Sequence, residues 1–338
     1  MGRPKKEVKK TEDDTSVDDV LASMQKKYGD DISIVDEDPD ISEVKAIPTG
    51  SFGLDSVFGC HGMPKGRMIE LFGQESSGKS TLSQYLMAQV QKAGGKVALI
   101  DAEFSYDPRY TASIGVDTSK LLVTQPLHLE AAMETLKELV KTNVFDLIVV
   151  DSIAAMAPMS EVEGEFLHDT MGLQARKLGA ALRVLTGPMS KSKTTVIFIN
   201  QLREKIGIMF GKKETTPGGK ALKFFSSVRL EVSKGEAIKD EKGKQIGNFV
   251  NVTGVKNKVG FPWVKTSLEL YYGKGLSREG DVIDYGEKIG VIHKEGNTWK
   301  FGDGKLGVGR EQAKAALEKN TELFDRISNA ITEYEKQS

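Results

Sequence analysis

Residues Gly73-Gln74-Glu75-Ser76-Ser77-Gly78-Lys79-Ser80 satisfy the pattern G-x-x-x-x-G-K-[ST] at every fixed position, and such a segment works in only one local setting. It has to leave a strand and open a helix, so that backbone N–H groups turn toward a phosphate at the positive end of that helix. The flanks supply this setting. Arg67-Met68-Ile69-Glu70-Leu71-Phe72 reads as a short, partly buried strand, and Thr81-Leu82-Ser83-Gln84-Tyr85-Leu86-Met87-Ala88 carries apolar residues at helical spacing. The expected bound group is a nucleoside triphosphate. Gly73, Glu75, Ser76, Ser77 and Gly78 form the cradle, Lys79 reaches the β- and γ-phosphates, Ser80 offers its hydroxyl to Mg²⁺, and Thr81 continues the helix.

With 338 residues, 39% of them hydrophobic, the chain has material for about two domains and a real core. No apolar run approaches the roughly 18 residues that a spanning helix needs, and the N-terminus lacks an apolar signal core. The expectation is a cytoplasmic protein with no membrane partner. Cys60 is the single cysteine, so no internal disulfide is available and redox chemistry is not indicated. A net charge of −1 does not announce a nucleic-acid partner, which leaves that case to local charge. Arg3, Lys5, Lys6, Lys9 and Lys10 stand ahead of a stretch dominated by acids from Glu12 to Asp40. A solvated, disordered charged tail over 1–15 explains this segregation better than a minor-groove arm.

Val17, Val20, Leu21, Met24 and Tyr28 recur at helical spacing after a possible cap at Ser16, giving an amphipathic helix in an N-terminal segment of 16–45. A neighbouring subunit and the chain's own core are equal candidates for covering its stripe. From Ile47 the chain alternates strand-like runs (Met68–Phe72, Lys96–Ile100, Leu121–Thr124, Leu147–Val150, Thr194–Ile199) with helical patterns (Lys79–Lys92, Leu129–Lys141, Leu173–Ser190). That alternation predicts an α/β fold with a mostly parallel sheet covered on both faces. Ser227–Ser233, Asn248–Lys258 and Val264–Tyr272 then read as an antiparallel extension, closing a core of 46–274. Residues 275–338 form a small α+β module, with helical patterns at Val282–Ile289, Gln312–Asn320 and Glu322–Tyr334 around the apolar run Asn297 to Phe301.

Leu147-Ile148-Val149-Val150-Asp151 is a buried strand ending in a carboxylate, placed to hold Mg²⁺ beside Ser80. Ser152 either assists that metal shell or is a turn hydroxyl. Asp101-Ala102-Glu103 leaves another strand's carboxyl end, which makes Glu103 the candidate to position and deprotonate water. Asp107-Pro108-Arg109-Tyr110 offers a ring that could stack on a base, although a core aromatic has the same signature.

Asp101-Ala102-Glu103, Asp107-Pro108, Ile148 to Ser152, Met171-Gly172-Leu173, Phe198-Ile199-Asn200-Gln201 and Gly218-Gly219-Lys220-Ala221-Leu222-Lys223-Phe224, with the phosphate loop, resemble motifs of the bacterial RecA recombinase family in family order. The likeness runs over roughly residues 16 to 335, and a general P-loop ATPase would share only two of these segments. It implies a RecA-like P-loop ATPase core using ATP and Mg²⁺, in a bacterial or phage-infected bacterial cell. The implied activity is a helical homo-oligomeric filament on single-stranded DNA that pairs with homologous double-stranded DNA and exchanges strands. By similarity Glu103 activates water, Lys79 and Ser80 bind phosphate and metal, Asp151 supports the metal, Asp107 and Tyr110 contact the adenine side, and Gln201 senses the γ-phosphate. Lys256 and Lys258, alternating on one strand, resemble a pair that reaches ATP bound by the adjacent subunit. The C-terminal lobe is implied to meet duplex DNA.

Two segments resemble the family's DNA loops, 161–172 and 201–218. The second is long and basic, with Arg203, Lys205, Lys212 and Lys213 beside Ile206, Ile208, Met209 and Phe210, before Gly218 and Gly219. Cations there neutralise phosphates and apolar side chains wedge between bases. In the first loop Met171 could separate base steps, and after Gly172 follows a helix on which Arg176 and Arg183 share a face that can track phosphates. Glu204 places an acid where relatives tend to be apolar, and Ser233-Lys234 thins a stretch that is usually richer in arginine. Two other classes use the same core: a ring-forming motor or helicase, and a DNA-coating scaffold that binds ATP with little turnover. Particle shape separates the first from a recombinase, and a turnover assay separates the second.

Overall fold

A computed structural model describes residues 16–28, 44–164, 172–204 and 214–337. The expected tail over 1–15 therefore lies outside the described residues. The chain divides into two units, Met1–Lys45 and Ala46–Ser338.

In the first unit, helix α1 (Val17–Tyr28) starts where Ser16 and Asp19 bond each other reciprocally. The Ser16 hydroxyl accepts from the Asp19 N–H at 3.2 Å and donates to its carboxylate at 2.9 Å. Asp18 and Asp19 sit in the first turn and Lys26 and Lys27 in the last, each matching the sign of the helix dipole. None of its residues is buried, and Val17, Val20, Met24 and Tyr28 are all exposed.

The second unit begins with β1 (Ala46–Ile47), α2 (Phe52–Phe58) and β2 (Met63–Pro64). It continues through β3 (Met68–Gly73), α3 (Lys79–Lys92), β4 (Val97–Asp101), α4 (Pro108–Ser113), β5 (Leu121–Thr124), α5 (Leu129–Thr142) and β6 (Leu147–Asp151). Then come α6 (Met159–Val162), α7 (Leu173–Lys191), β7 (Thr195–Gln201), the short pair β8 (Arg203–Glu204) and β9 (Glu214–Thr215), and α8 (Ala221–Phe225). Strands β10 (Val228–Lys239), β11 (Gln245–Asn257), β12 (Lys265–Tyr271) and β13 (Gly275–Leu276) follow. Helix α9 (Arg278–Lys288), the meander β14 (Ile292–Glu295), β15 (Thr298–Phe301) and β16 (Gly304–Val308), and helices α10 (Arg310–Lys319) and α11 (Thr321–Gln337) complete it.

One nine-stranded sheet runs in the order β13-β12-β11-β10-β3-β7-β6-β4-β5. Pairing is parallel from β10 through β5 and antiparallel from β10 through β13. Every residue of β3, β4 and β6 is buried, which is why β4 and β6 read as continuous apolar runs up to their terminal aspartates, whereas in β3 the run is broken by the buried Glu70. On one face α3 contributes Leu82, Leu86 and Met87 to a core with Leu71, Val97 and Ile199. On the other, Leu136 of α5 and Leu178 and Leu182 of α7 pack on Ile100, Val150 and Phe198. A third cluster of Val282, Ile283, Trp299, Leu317 and Ile331 serves the C-terminal helices and meander.

Two features depart from the pattern. Strands β10 and β11 are longer than their apolar runs, continuing as a hairpin whose turn is held by Asp240 accepting from the N–H groups of Lys242 at 3.0 Å and Lys244 at 2.9 Å. A turn closed by carboxylate hydrogen bonds needs no apolar residues, so periodicity does not register it. Helix α2, too short for a periodic signal, is fixed by its caps: Ser51 accepts from Leu54 N–H and Gly59 closes it at φ 76°. No helix among the described residues is long and apolar enough to cross a membrane.

Candidate active site

Parallel pairing brings the carboxyl ends of β3, β7, β6 and β4 to one edge of the sheet, where ligands of such folds bind. The phosphate loop leaves β3 there and enters α3. Its shape depends on glycine at two points. A Cβ on Gly73 would lie 1.9 Å from the Val232 carbonyl oxygen, and Gly78 has φ 93° with Leu270 Cδ2 only 3.0 Å from where its Cβ would be. Gly78 caps α3 without any side-chain bond, so the first-turn N–H groups of the helix are available to an anion.

Lys79, 7% exposed, donates to the carbonyls of Gly73 at 3.1 Å and Gln74 at 2.6 Å. Burial holds its ammonium below the ordinary lysine range, against the pull of Asp151, Glu103 and Glu75. At the end of β6, burial pushes the Asp151 pKa up to about 6; the Ser80 hydroxyl opposes this, and the Glu103 and Asp101 charges add to it. No cluster of three or more metal-ligating side chains exists among the described residues. One buried carboxylate beside one serine hydroxyl suits Mg²⁺, which takes few protein ligands and completes its shell with water and substrate phosphates.

Glu103 stands just beyond β4 on a turn organised by Asp101, whose carboxylate accepts from the N–H groups of Ser105 at 3.2 Å and Tyr106 at 3.1 Å and from Gln125 Nε2 at 2.8 Å. Glu103 Oε1 accepts from Ser152 Oγ at 2.5 Å and from Gln201 Nε2 at 3.2 Å. The ends of β4, β6 and β7 thus meet on one carboxylate oxygen. Of the two readings left open for Ser152, neither anticipated that its hydroxyl would orient Glu103.

Beside the loop lies a cleft of ≈ 290 Å³. Ser76, Ser77, Gly78, Lys79, Ser80, Thr81 and Tyr110 line one side, with Thr81 Oγ1 and the Tyr110 hydroxyl 2.8 Å apart. Asp107 stands outside this lining and caps α4, accepting from the N–H groups of Arg109 at 2.8 Å and Tyr110 at 3.3 Å. Glu75 is exposed. The opposite wall was not foreseen: Lys234, Asn248, Val250, Leu270 and Tyr272. Asn248 Nδ2 donates to the Tyr272 hydroxyl at 2.6 Å. An asparagine inside an apolar strand and a tyrosine just past one were the available signals.

Lys256 and Lys258 are not brought to this cleft within the chain. Lys256 stands at the far end of β11 from Asn248, roughly 25 Å along an extended strand. There its Nζ donates to the carbonyls of Lys223 at 2.8 Å and Phe224 at 3.0 Å, closing the C-terminal end of α8. Burial lowers its pKa, and the neighbouring Lys258 and Arg229 lower it further.

Next to Gln201, Asn200 is locked in place. Its Nδ2 donates to Glu70 Oε1 at 3.1 Å and to the Pro217 carbonyl at 3.2 Å, and Glu70, fully buried, pairs with Arg229 at 2.5 Å. Of the second DNA-loop segment, Arg203 is exposed on the β8–β9 pair, whereas Lys205 and Ile206 lie outside the described residues, as does Met171 of the first. Gly218 (φ 78°) and Gly219 (φ 72°) press on α7: a Cβ on Gly218 would lie 2.5 Å from Leu178 Cδ2 and one on Gly219 3.0 Å from Ala175 Cβ. Both segments border one hollow of ≈ 440 Å³, lined by Met156, Glu161, Gly172, Gln174, Arg203 and Gly218 among others. Arg176 and Arg183 are exposed on α7.

The model of the RecA N-terminal domain matches residues 15–277, and that of the RecA C-terminal domain matches 280–335. The chain belongs to the RecA family. It is 45% identical over 318 residues to Protein RecA of Clostridium acetobutylicum, covering 94% of this chain and 91% of that one. Protein RecA of Campylobacter jejuni is 47% identical over 317 residues, covering 94% and 92%. Among solved structures, the RadB recombinase superposes with a TM-score of 0.51 at 22% identity, over 68% of this chain and 98% of that one, a likeness of fold. The RecA-like α/β core expected from the motifs is therefore present, and the chain is a RecA-type recombinase and DNA-dependent ATPase.

Proposed function

We propose that this RecA-family chain assembles as a helical filament on single-stranded DNA, pairs it with homologous duplex and exchanges strands while hydrolysing ATP. The observation that carries the reading is the shared oxygen of Glu103. Gln201 both touches the carboxylate that would activate water and begins the second DNA-loop segment, so chemistry and DNA grip share a residue. In this scheme Lys79 and the first turn of α3 hold the phosphates. Ser80 and Asp151 hold Mg²⁺, which when bound neutralises charge on the β- and γ-oxygens. Ser152 and Gln201 both occupy Oε1 of Glu103, which leaves Oε2 to take a proton from the attacking water. Tyr110 and Tyr272 flank the base, with Asp107 shaping the turn that carries Tyr110.

A γ-phosphate drawing Gln201 toward itself would pull on the segment behind it and favour a DNA-gripping state. Arg203, Lys205, Ile206, Gly218 and Gly219, with Met171, Gly172, Arg176 and Arg183, are assigned to DNA. Lys256 and Lys258 are assigned to the nucleotide of an adjacent copy, Mg²⁺ completes the ATP site, and the segment 275–338 is assigned to duplex DNA. The test is ATP hydrolysis with and without single-stranded DNA, with negative-stain imaging of the same samples. Strong stimulation with helical filaments is expected. Closed rings would instead mean a motor, and turnover indifferent to DNA would remove the loops from the assigned role.

A further inference from the structure

Strand β12 presents alternate residues to two different places. Leu270 reaches the phosphate loop at Gly78, and Leu270 and Tyr272 both line the nucleotide cleft. Glu269 and Tyr271 face the other way, toward α10. Lys314 Nζ donates to Glu269 Oε2 at 2.6 Å and to the Tyr271 hydroxyl at 2.6 Å. Arg310 Nη1 donates to Glu269 Oε1 at 2.5 Å, and the same guanidinium holds Asp284 of α9 through Nε and Nη2, both at 2.7 Å.

The carboxylate at its centre and one of its cations are buried, Glu269 being 4% exposed and Lys314 5%. Burial alone would raise the Glu269 carboxyl, but the Lys314 hydrogen bond and the Arg310 charge overrule it and hold it below the usual carboxylate range. Gly280 of α9 leaves the necessary room, since a Cβ there would lie 2.6 Å from Glu269 Oε2. Sliding α10 along β12 would strand a buried carboxylate without its cations, a cost far above that of moving the two together. Leu270 shares its contact at Gly78 with Val250 of β11, and the segment 269–272 carries both the residues held by α10 and those that line the cleft, which gives a displacement of α10 a path to Leu270 and Tyr272.

We propose that Arg310 and Lys314 are positioning residues for ATP: by gripping Glu269 and Tyr271 they set the cleft wall formed by Leu270 and Tyr272, so that load on the C-terminal helices changes nucleotide affinity. The proposal rests on the assignment of this cleft to ATP. Binding linkage is reciprocal, so ATP in turn stiffens the seat of α10.

The experiment compares Lys314→Met, Tyr271→Phe and Lys314→Arg in the full-length chain, measuring steady-state ATP hydrolysis on single-stranded DNA together with thermal unfolding. Lys314→Met should raise KM for ATP about 5-fold or more with kcat within about 2-fold; Tyr271→Phe should move KM the same way by less, and Lys314→Arg should restore it. If Lys314→Met and Tyr271→Phe fold and keep KM within about 2-fold of the parent while their melting temperatures fall, the cluster is a structural clamp only and the proposal is overturned. Should Lys314→Met not fold, Tyr271→Phe, which removes one hydroxyl, decides by the same criterion. Lys79→Ala serves as the reference: if it hydrolyses ATP like the parent, the cleft assignment fails, and this proposal with it.

Discussion

Single side chains at the sheet edge carry most of the chemistry, and Glu103 is the one whose surroundings say most about its task. Glu103→Gln should retain ATP binding and lose turnover by about 100-fold or more, trapping the DNA-bound state, whereas Lys79→Ala should abolish hydrolysis. Fluorescent-nucleotide binding beside phosphate release separates the two, and normal turnover in Glu103→Gln would strip Glu103 of its role. Ser152→Ala should lower kcat by about 10-fold with little change in KM, since it removes one of the two donors that orient Glu103 Oε1 without touching nucleotide contacts.

Away from the site, Asp55 is a residue-scale switch of stability. Burial pushes its pKa from 3.8 up to about 6, with the Thr49 hydrogen bonds and His61 opposing and Glu335 assisting. A carboxyl whose folded pKa is raised binds its proton more tightly in the native state, so stability falls as pH climbs from 3.8 to about 6 and stays lowered above that. Both bonds from Thr49, at 2.9 and 2.7 Å, end on Oδ1, so Asp55→Asn keeps them. The variant should be more stable at pH 8 by about 1 to 3 kcal/mol and equal to the parent near pH 4. Chemical denaturation at the two pH values checks this, and parallel curves would refute it.

At the scale of elements, α1 is the clearest case of a segment whose pattern exceeds what it covers. Its caps and dipole charges account for helix formation locally, yet Val17, Val20, Met24 and Tyr28 remain exposed. If that stripe docks on another copy, Val20→Asp with Met24→Asp should shift sedimentation from large assemblies to small species while leaving the melting transition of the core within a degree or two. The long helices and the buried parallel strands were legible in the sequence because each is dominated by one period and one environment. Helix α2 and the outer half of the β10–β11 hairpin were not, because caps and a carboxylate-closed turn hold them instead of apolar spacing.

For the whole molecule, the Glu70–Arg229–Asn200 set links β3, β10 and β7 at the centre of the sheet and reaches Pro217. Arg229→Met leaves Glu70, which has no exposed surface, as an uncompensated buried charge and should cost about 3 to 5 kcal/mol. Adding Glu70→Gln to it should recover most of that loss, measurable as the melting temperature of single and double variants. The sequence alone determined the phosphate loop with its strand and helix, the carboxylates at two strand ends and the order of elements, because each is a local pattern of neighbouring residues. Only tertiary structure decided that Ser152 and Gln201 share one oxygen of Glu103, that Tyr272 and Asn248 face Tyr110 across the cleft, and that Glu269 ties the cleft wall to α10. Those contacts join residues far apart in the chain, and their geometry follows from strand order and register, which no local spacing encodes.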